Sequence, residues 1–117
     1  MSTDVQSTDY SNKAFESVKS YTDKVNQEKA DKKAAYEASM QSLDVYTQLK
    51  NKAMSKFKSA KSLFQQGKNT SEYNASKAEY TTACNSFTDA ENNSDIKRSS
   101  YQTSIFYAAK INNATSL

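Results

Sequence analysis

Hydrophobic residues recur along this 117-residue chain at alternating spacings of three and four, the pattern of an α-helix that packs through one stripe. In each half of the chain the stripe consists of two lanes with a period of seven. The lanes of the first half are Phe15, Thr22, Lys29, Tyr36, Leu43, Lys50, Phe57, Phe64 and Val18, Val25, Lys32, Ser39, Tyr46, Ala53, Ala60. The lanes of the second half are Tyr73, Tyr80, Phe87, Ser94, Tyr101, Ala108 and Ser76, Ala83, Ala90, Lys97, Ser104, Ile111. Each half is therefore predicted to form one long helix with a single packing face.

The stretch between the two halves contains the only glycine of the chain, Gly67, and the chain has no proline. Glycine readily adopts the left-handed conformation that commonly follows the end of a helix. After it, Thr70 or Ser71 can cap a second helix, and Glu72 suits the positive end of that helix. The sequence therefore predicts an all-α fold: a long antiparallel, coiled-coil-like helical hairpin with its hinge at Gly67.

The boundaries of the predicted elements follow from the same signals. They are a flexible N-terminal tail at 1–9, a long helix at 10–66, a hinge turn at 67–71, a second helix at 72–112 and a flexible C-terminal tail at 113–117. Residues 91–95 are poor helix formers in series. A break at this point would give three helices instead of two.

The aromatic residues predict the register of the hairpin. Facing residues of an antiparallel pair have position numbers with a constant sum, and three aromatic pairs share the sum 137. These pairs are Phe64 with Tyr73, Phe57 with Tyr80, and Tyr36 with Tyr101. The predicted hairpin core is Phe15, Tyr36, Leu43, Phe57, Phe64, Tyr73, Tyr80, Phe87 and Tyr101. The aromatic spacing of 21 residues is also an internal repeat of three heptads, for which duplication and low complexity are both adequate explanations.

The hydrophobic share of the chain is 36%, below the roughly 45–50% of ordinary globular domains. A thin core, or packing against further subunits, is therefore expected. Apolar residues outside the stripe are the candidate interface: Met40, Leu49, Ile105, Phe106 and Tyr107. Phe106 either anchors an intermolecular contact or packs under the unpaired part of the first helix.

The chain lacks the residues that most catalytic and metal sites require. It has no histidine, which is the commonest general base and metal ligand, and a single cysteine, Cys84. One glycine cannot form a glycine-rich phosphate loop. The acidic residues are scattered among lysines, as on a solvated helix face. We therefore expect no catalytic, cofactor or metal site, and a protein that is not an enzyme.

The net charge is +3, but no acidic residue occurs from Val45 to Ser71. The lysines of this stretch form a candidate basic patch: Lys50, Lys52, Lys56, Lys58, Lys61 and Lys68. Contacts from such lysines to phosphates would be independent of sequence and sensitive to salt. Because the lysines spread over all helix faces and the net charge is mild, the pattern favours a solvated face, partly paired with acids of the second helix, over a nucleic-acid interface.

No apolar run approaches the ~18–20 residues that span a bilayer, and residues 1–6 lack the features of a Sec-type signal. We therefore expect a chain that is not transmembrane and is cytoplasmic, or exported by a route without a cleaved signal. In composition and shape it resembles small helical-hairpin proteins exported by bacterial specialised secretion systems. The turn at 64–67 lacks the tryptophan of the Trp-x-Gly motif of one such family, and no family is assigned.

The predicted function is a non-enzymatic structural or assembly subunit that self-associates through helix–helix packing into an oligomer, bundle or filament, in a surface- or secretion-associated role. One alternative is a helical adaptor that binds a protein partner through residues 10–31, beyond the reach of the second helix. The other is a weak polyanion binder that uses the lysines near the hinge.

Overall fold

In a computed structural model the chain folds into two long α-helices packed antiparallel against each other. Helix α1 spans Ser2–Gln65, helix α2 spans Thr70–Thr115, and residues 66–69 connect them. The structure describes the backbone of residues 2–115 and the side chains of residues 12–114. No strand occurs in this range. The predicted all-α hairpin is confirmed, and the third helix is absent because α2 is continuous through 91–95.

Both helices extend further than the sequence signals indicated. Helix α1 includes residues 2–9, for which the sequence predicts a flexible tail. Helix α2 continues past Asn112, its predicted end, to Thr115. Neither segment contains a proline or glycine that would stop a helix. Across 91–95 the helix is continuous despite poor helix propensity, and Ser94 is buried there. Met1, Ser116 and Leu117, the outermost residues of the two predicted tails, lie outside the described residues.

Helix α1 ends in a Schellman motif. The Lys68 amide donates to the Leu63 carbonyl at 3.0 Å, and the Gly67 amide donates to the Phe64 carbonyl at 2.9 Å. Gly67 has a φ of 76°, the left-handed conformation that this motif requires. The glycine therefore ends α1 and satisfies two carbonyls that the helix itself leaves free.

The start of α2 differs from the prediction. Thr70 is already helical, and the residue before it, Asn69, accepts the first bond of the helix, from the Tyr73 amide at 3.0 Å. Asn69 has a φ of 53°, which asparagine tolerates better than most residues. The prediction that Thr70 or Ser71 caps the helix is wrong, because the helix already begins at Thr70 and Asn69 occupies the capping position before it.

The contacts divide the chain into two units, each formed by both helices. The hinge unit contains Tyr36–Lys97, and the terminal unit contains Met1–Ala35 with Arg98–Leu117. In the hinge unit, four rings form a continuous chain along the helix contact. The ring centroids are 4.3 Å apart for Phe64 and Tyr73, 5.6 Å for Tyr73 and Phe57, and 5.7 Å for Phe57 and Tyr80. Two of the predicted aromatic pairs are thus in contact, and the Tyr36–Tyr101 pair stays a prediction.

Small residues fill the positions between the large ones. The fully or nearly fully buried residues are Ala60, Ser39, Ser76 and Ser94 in the hinge unit, and Val25 and Ala108 in the terminal unit. Because these side chains are short, the two backbones can approach closely while the aromatic rings lie beside them. We call this contact of alternating large and small residues the seam.

The serines of the seam satisfy their hydroxyls within their own helix. Ser39, Ser76 and Ser104 each donate to the carbonyl of a tyrosine three residues earlier, at 2.6, 3.1 and 2.6 Å. No buried side-chain polar atom of the described residues lacks a partner. Burying these hydroxyls therefore avoids the usual desolvation penalty.

Seven of the predicted core residues are partly buried: Tyr36, Leu43, Phe57, Tyr73, Tyr80, Phe87 and Tyr101. Phe64 is 40% exposed although its ring stacks on Tyr73. Phe15 was wrongly placed in the core, since 69% of it is exposed. The register that sums to 137 would pair it with position 122, past the end of α2 at Thr115.

The hinge can be tested by substituting Gly67. Gly67→Ala should lower the free energy of unfolding by about 1 kcal/mol, because an L-residue is disfavoured at this positive φ. No atom lies within 4 Å of the added Cβ, so conformation rather than a clash is the cause. Thermal melting followed by circular dichroism measures the effect, and Ser62→Ala at an exposed helical site is the control. An unchanged melting temperature would show that the turn tolerates alanine.

The close approach of the helices can be tested at Ala108, which is fully buried. Ala108→Leu should lower the free energy of unfolding by about 1–3 kcal/mol, because the larger side chain forces the helices apart. Ala109→Leu makes the same change at the exposed neighbouring position and should alter stability by less than about 0.5 kcal/mol. Urea unfolding of both variants compares them. Equal stabilities would contradict a tightly packed seam at this level.

Candidate functional site

The sides of the seam, rather than the seam itself, hold the side chains that are available to a partner. In heptad notation, with Phe57 and Tyr73 at position a, the flanking positions are e and g. Three side-chain contacts across the flanks join like positions, as expected for antiparallel helices. They are Lys56 with Glu79 and Tyr21 with Tyr107 at g, and Asn26 with Asn112 at e.

An apolar groove runs along the g flank of the hinge unit, with a volume of about 440 Å³. Its lining is Tyr46 and Leu49 from α1, and Ala78, Thr82, Ala83 and Ser86 from α2, with Glu79 at its edge. Leu49 is 50% exposed, and the neighbouring Val45 is 53% exposed. The α1 side of the groove therefore presents large side chains and the α2 side presents small ones.

The edge of this groove carries an ion pair. The Lys56 ammonium lies 3.0 Å and 3.3 Å from the two Glu79 carboxylate oxygens, and both side chains remain about half exposed. The hydrogen bond to Glu79, and then the charge of that carboxylate, raise the pKa of Lys56. Lys56 therefore keeps its positive charge at neutral pH, although an exposed pair of this kind contributes little to stability.

A second lysine of the candidate basic patch is also engaged within the hinge unit. The Lys50 ammonium lies 4.2 Å from the centroid of the Phe87 ring, in cation–π geometry. The remaining lysines of the patch, Lys52, Lys58, Lys61 and Lys68, are exposed. Two of the six lysines are thus engaged within the hinge unit, so the patch is not a single free cationic surface.

The terminal unit has a different, hydroxyl-rich groove of about 460 Å³. It is lined by Glu28, Lys32, Ser99, Ser100, Thr103, Ser104 and Tyr107. Beside it, Phe106 is 72% exposed, the highest value among the large hydrophobic residues, with the Lys110 ammonium 5.9 Å from its ring centroid. Phe106 does not pack under α1, so of the two alternatives for this residue only the external contact remains open.

The other candidate interface residues are exposed as well. Met40, Ile105 and Tyr107 are 44%, 40% and 44% exposed. The Tyr107 hydroxyl is hydrogen-bonded to the Tyr21 hydroxyl, and this bond raises the pKa of Tyr21. Among the described residues, thirteen large hydrophobic side chains are exposed.

The e flank of the terminal unit is joined by two asparagines that the sequence patterns did not single out. Asn26 and Asn112 exchange reciprocal amide hydrogen bonds of 3.3 Å and 3.0 Å and are partly buried. A buried asparagine pair between two helices favours one register over its neighbours at some cost in stability. Both residues follow a seam residue directly, which is the only sequence signal for them.

The chemistry available at these surfaces is packing, ion pairing and hydrogen bonding. Cys84 is partly buried, and its thiol, one turn along α2 from Tyr80, raises the pKa of the Tyr80 phenol. In the described part of the chain, no group of three or more acidic or cysteine side chains could hold a metal ion. Neither helix, over the same residues, has a stretch long and apolar enough to cross a membrane.

Comparison with known proteins gives no match to any family model, curated protein or solved structure.

The role of the asparagine pair can be tested by a double-mutant cycle. Asn26→Ala and Asn112→Ala should each lower the free energy of unfolding by about 1 kcal/mol, because each leaves a partly buried amide without its partner. The double variant should lose less than the sum of the two single losses. Urea unfolding of the four proteins gives the coupling energy. Additive losses would mean that the two amides do not act as a pair.

Proposed function

We propose that this chain is a non-enzymatic assembly subunit that self-associates by packing its helices against those of further copies. The observation that carries the proposal is the imbalance between buried and exposed hydrophobic residues. Among the described residues, the fully buried hydrophobic side chains are Val25, Ala60 and Ala108, whereas thirteen large hydrophobic side chains are exposed. Much apolar surface therefore remains on the outside of the hairpin, where a further copy can cover it.

The seam alone provides limited hydrophobic stabilisation. Burial of apolar surface stabilises a fold by roughly 25 cal/mol per Å², and alanine and serine have little such surface to bury. The stability of long helices comes mainly from tertiary packing of an apolar face. Side-by-side contact with a second hairpin would add the burial of residues such as Leu49 and Val45, and would thus complete a core that one chain leaves thin.

The exposed hydrophobic residues lie in both units. In the hinge unit they include Met40, Val45 and Leu49, and in the terminal unit they include Ile105 and Phe106. An assembly can therefore use contacts in the hinge unit and in the terminal unit. The three-heptad spacing of the aromatic residues supports the finer proposal of a bundle or filament, because it repeats the same surface at regular steps.

A second candidate, an adaptor function through residues 10–31, is favoured by a different observation. Phe15 and Val18 continue the seam of α1 but are 69% and 48% exposed. These two exposed seam residues form a short apolar stripe. A helix of another protein can pack on such a stripe through its own apolar face. Self-association remains the first proposal, because exposed apolar residues occur far beyond this segment.

Sedimentation velocity over a wide range of protein concentrations tests the first proposal. We expect the mean mass to rise above the monomer mass of 13.1 kDa as concentration increases. Phe106→Ser and Leu49→Ser should each weaken the association, since they remove exposed apolar surface without touching the seam. Gln102→Ser, at an exposed polar site, is the control. A folded wild-type protein that stays monomeric throughout would contradict self-association.

Hydrogen exchange across residues 12–31 separates the two candidates. An assembly subunit should protect this segment as strongly as the rest of α1 once it has associated. An adaptor should exchange quickly there in the isolated protein and gain protection only when its partner is added.

A further inference from the structure

The g flank of the hinge unit presents two unlike edges. At its α1 edge lie Leu49, Lys52 and Lys56, and at its α2 edge lie Glu79, Thr82 and Asp89, all of them exposed. These residues occupy heptad positions g and c, so they form one stripe on each helix along the apolar groove. We call this surface the groove face.

The two edges are complementary in size. The groove lining from α1 is the large Tyr46 and Leu49, whereas the lining from α2, apart from Glu79 at its edge, is the small Ala78, Thr82, Ala83 and Ser86. If two groove faces met with α1 on α1, large residues would oppose large ones and small residues would leave gaps. If α1 of one copy lay over α2 of the other, large residues would fill the space above small ones.

The two edges are also complementary in charge. Within the hinge unit, α1 from residue 36 to 65 has five lysines and two acidic residues, and α2 from residue 70 to 97 has five acidic residues and two lysines. On the groove face itself the contrast is complete, with Lys52 and Lys56 on one edge and Glu79 and Asp89 on the other. Contact of α1 with α1 would bring like charges together, whereas contact of α1 with α2 would bring opposite charges together.

A two-fold axis parallel to the helices gives the favourable arrangement. It places α1 of each copy over α2 of the other and keeps the two antiparallel and in the same register as within one hairpin. Lys56 and Glu79 are level with each other, since they bond across the hairpin at 3.0 Å. Lys56 of the second copy would therefore also be level with Glu79. Both side chains are about half exposed and retain room for this second partner.

We propose that the groove face is the site at which a second copy of this chain docks, related by a two-fold axis along the helices, with α1 of each copy over α2 of the other. The proposal rests on the self-association proposed above and specifies its surface and geometry. At the centre of the contact, two lysines and two glutamates form a four-membered ion network, flanked by Leu49 of each copy in the apolar groove of the other.

Charge reversal of one edge at a time provides the test. In one edge variant the basic α1 edge is made acidic, by Lys52→Glu with Lys56→Glu. In the other edge variant the acidic α2 edge is made basic, by Glu79→Lys with Asp89→Lys. Each alone should self-associate at least about tenfold more weakly than wild type, because both edges then carry the same sign. An equimolar mixture should regain wild-type affinity, since each edge then finds an opposite charge. Sedimentation velocity measures all three, at low ionic strength where charge effects are largest.

Two controls isolate the surface. Lys58→Glu with Lys61→Glu changes the net charge by the same amount on other faces of α1 and should leave the association constant within about threefold of wild type. Thr82→Tyr fills the groove and leaves every charge in place, so it tests the surface even if a charge variant folds poorly. Thr82→Tyr should weaken association about tenfold. The matched Thr88→Tyr, exposed on the other side of α2, should not.

The outcomes are distinct. A wild-type chain that is monomeric at every concentration overturns both self-association and the groove-face dimer. Self-association that neither edge variant nor Thr82→Tyr weakens overturns the groove face and leaves self-association standing through another surface. Edge variants that lose affinity but do not recover it on mixing overturn the arrangement of α1 over α2.

Discussion

The contact of alternating large aromatic and small residues along the seam is what the rest of this structure depends on. The rings of Phe57, Tyr73 and Tyr80 can stack only because the positions beside them are alanines and serines. Such serines are compatible with a buried seam because each hydroxyl bonds to its own helix. A core of short side chains, in turn, leaves the longer hydrophobic residues on the flanks and outer faces, where partners can reach them.

The sequence was sufficient to predict the hairpin and much of its register, since both depend on local chemistry and periodicity. A single glycine in a chain without proline locates the turn, and the heptad lanes identify the packing stripe. What was missed depends on tertiary context. The left-handed Asn69, the continuity of α2 through Ser94, and the exposure of Phe15 each follow from how the two helices meet. Neither residue propensity nor spacing contains that information.

The candidate interaction surfaces were only partly predictable for the same reason. Apolar residues outside the stripe have no place in the predicted core, so the sequence predicts Leu49 and Phe106 as interface residues. The groove, however, forms from residues of both helices, and its α2 lining, apart from Ala83, lies outside the packing stripe. The Lys56–Glu79 pair and the Asn26–Asn112 pair likewise join residues far apart in the chain.

The turn at Gly67 also determines how strongly each contact is favoured by the connectivity of the chain. The stacked pair nearest the turn joins Phe64 to Tyr73, the ion pair spans 23 residues, and the asparagine pair spans 86. The effective concentration of two chain segments falls as the connecting loop lengthens. Contacts near the turn are therefore the most strongly intramolecular of the hairpin. Contacts far from the turn compete most closely with the same contacts made to another copy. The chain connectivity therefore makes exchange of segments between copies easiest at the contacts most distant from Gly67.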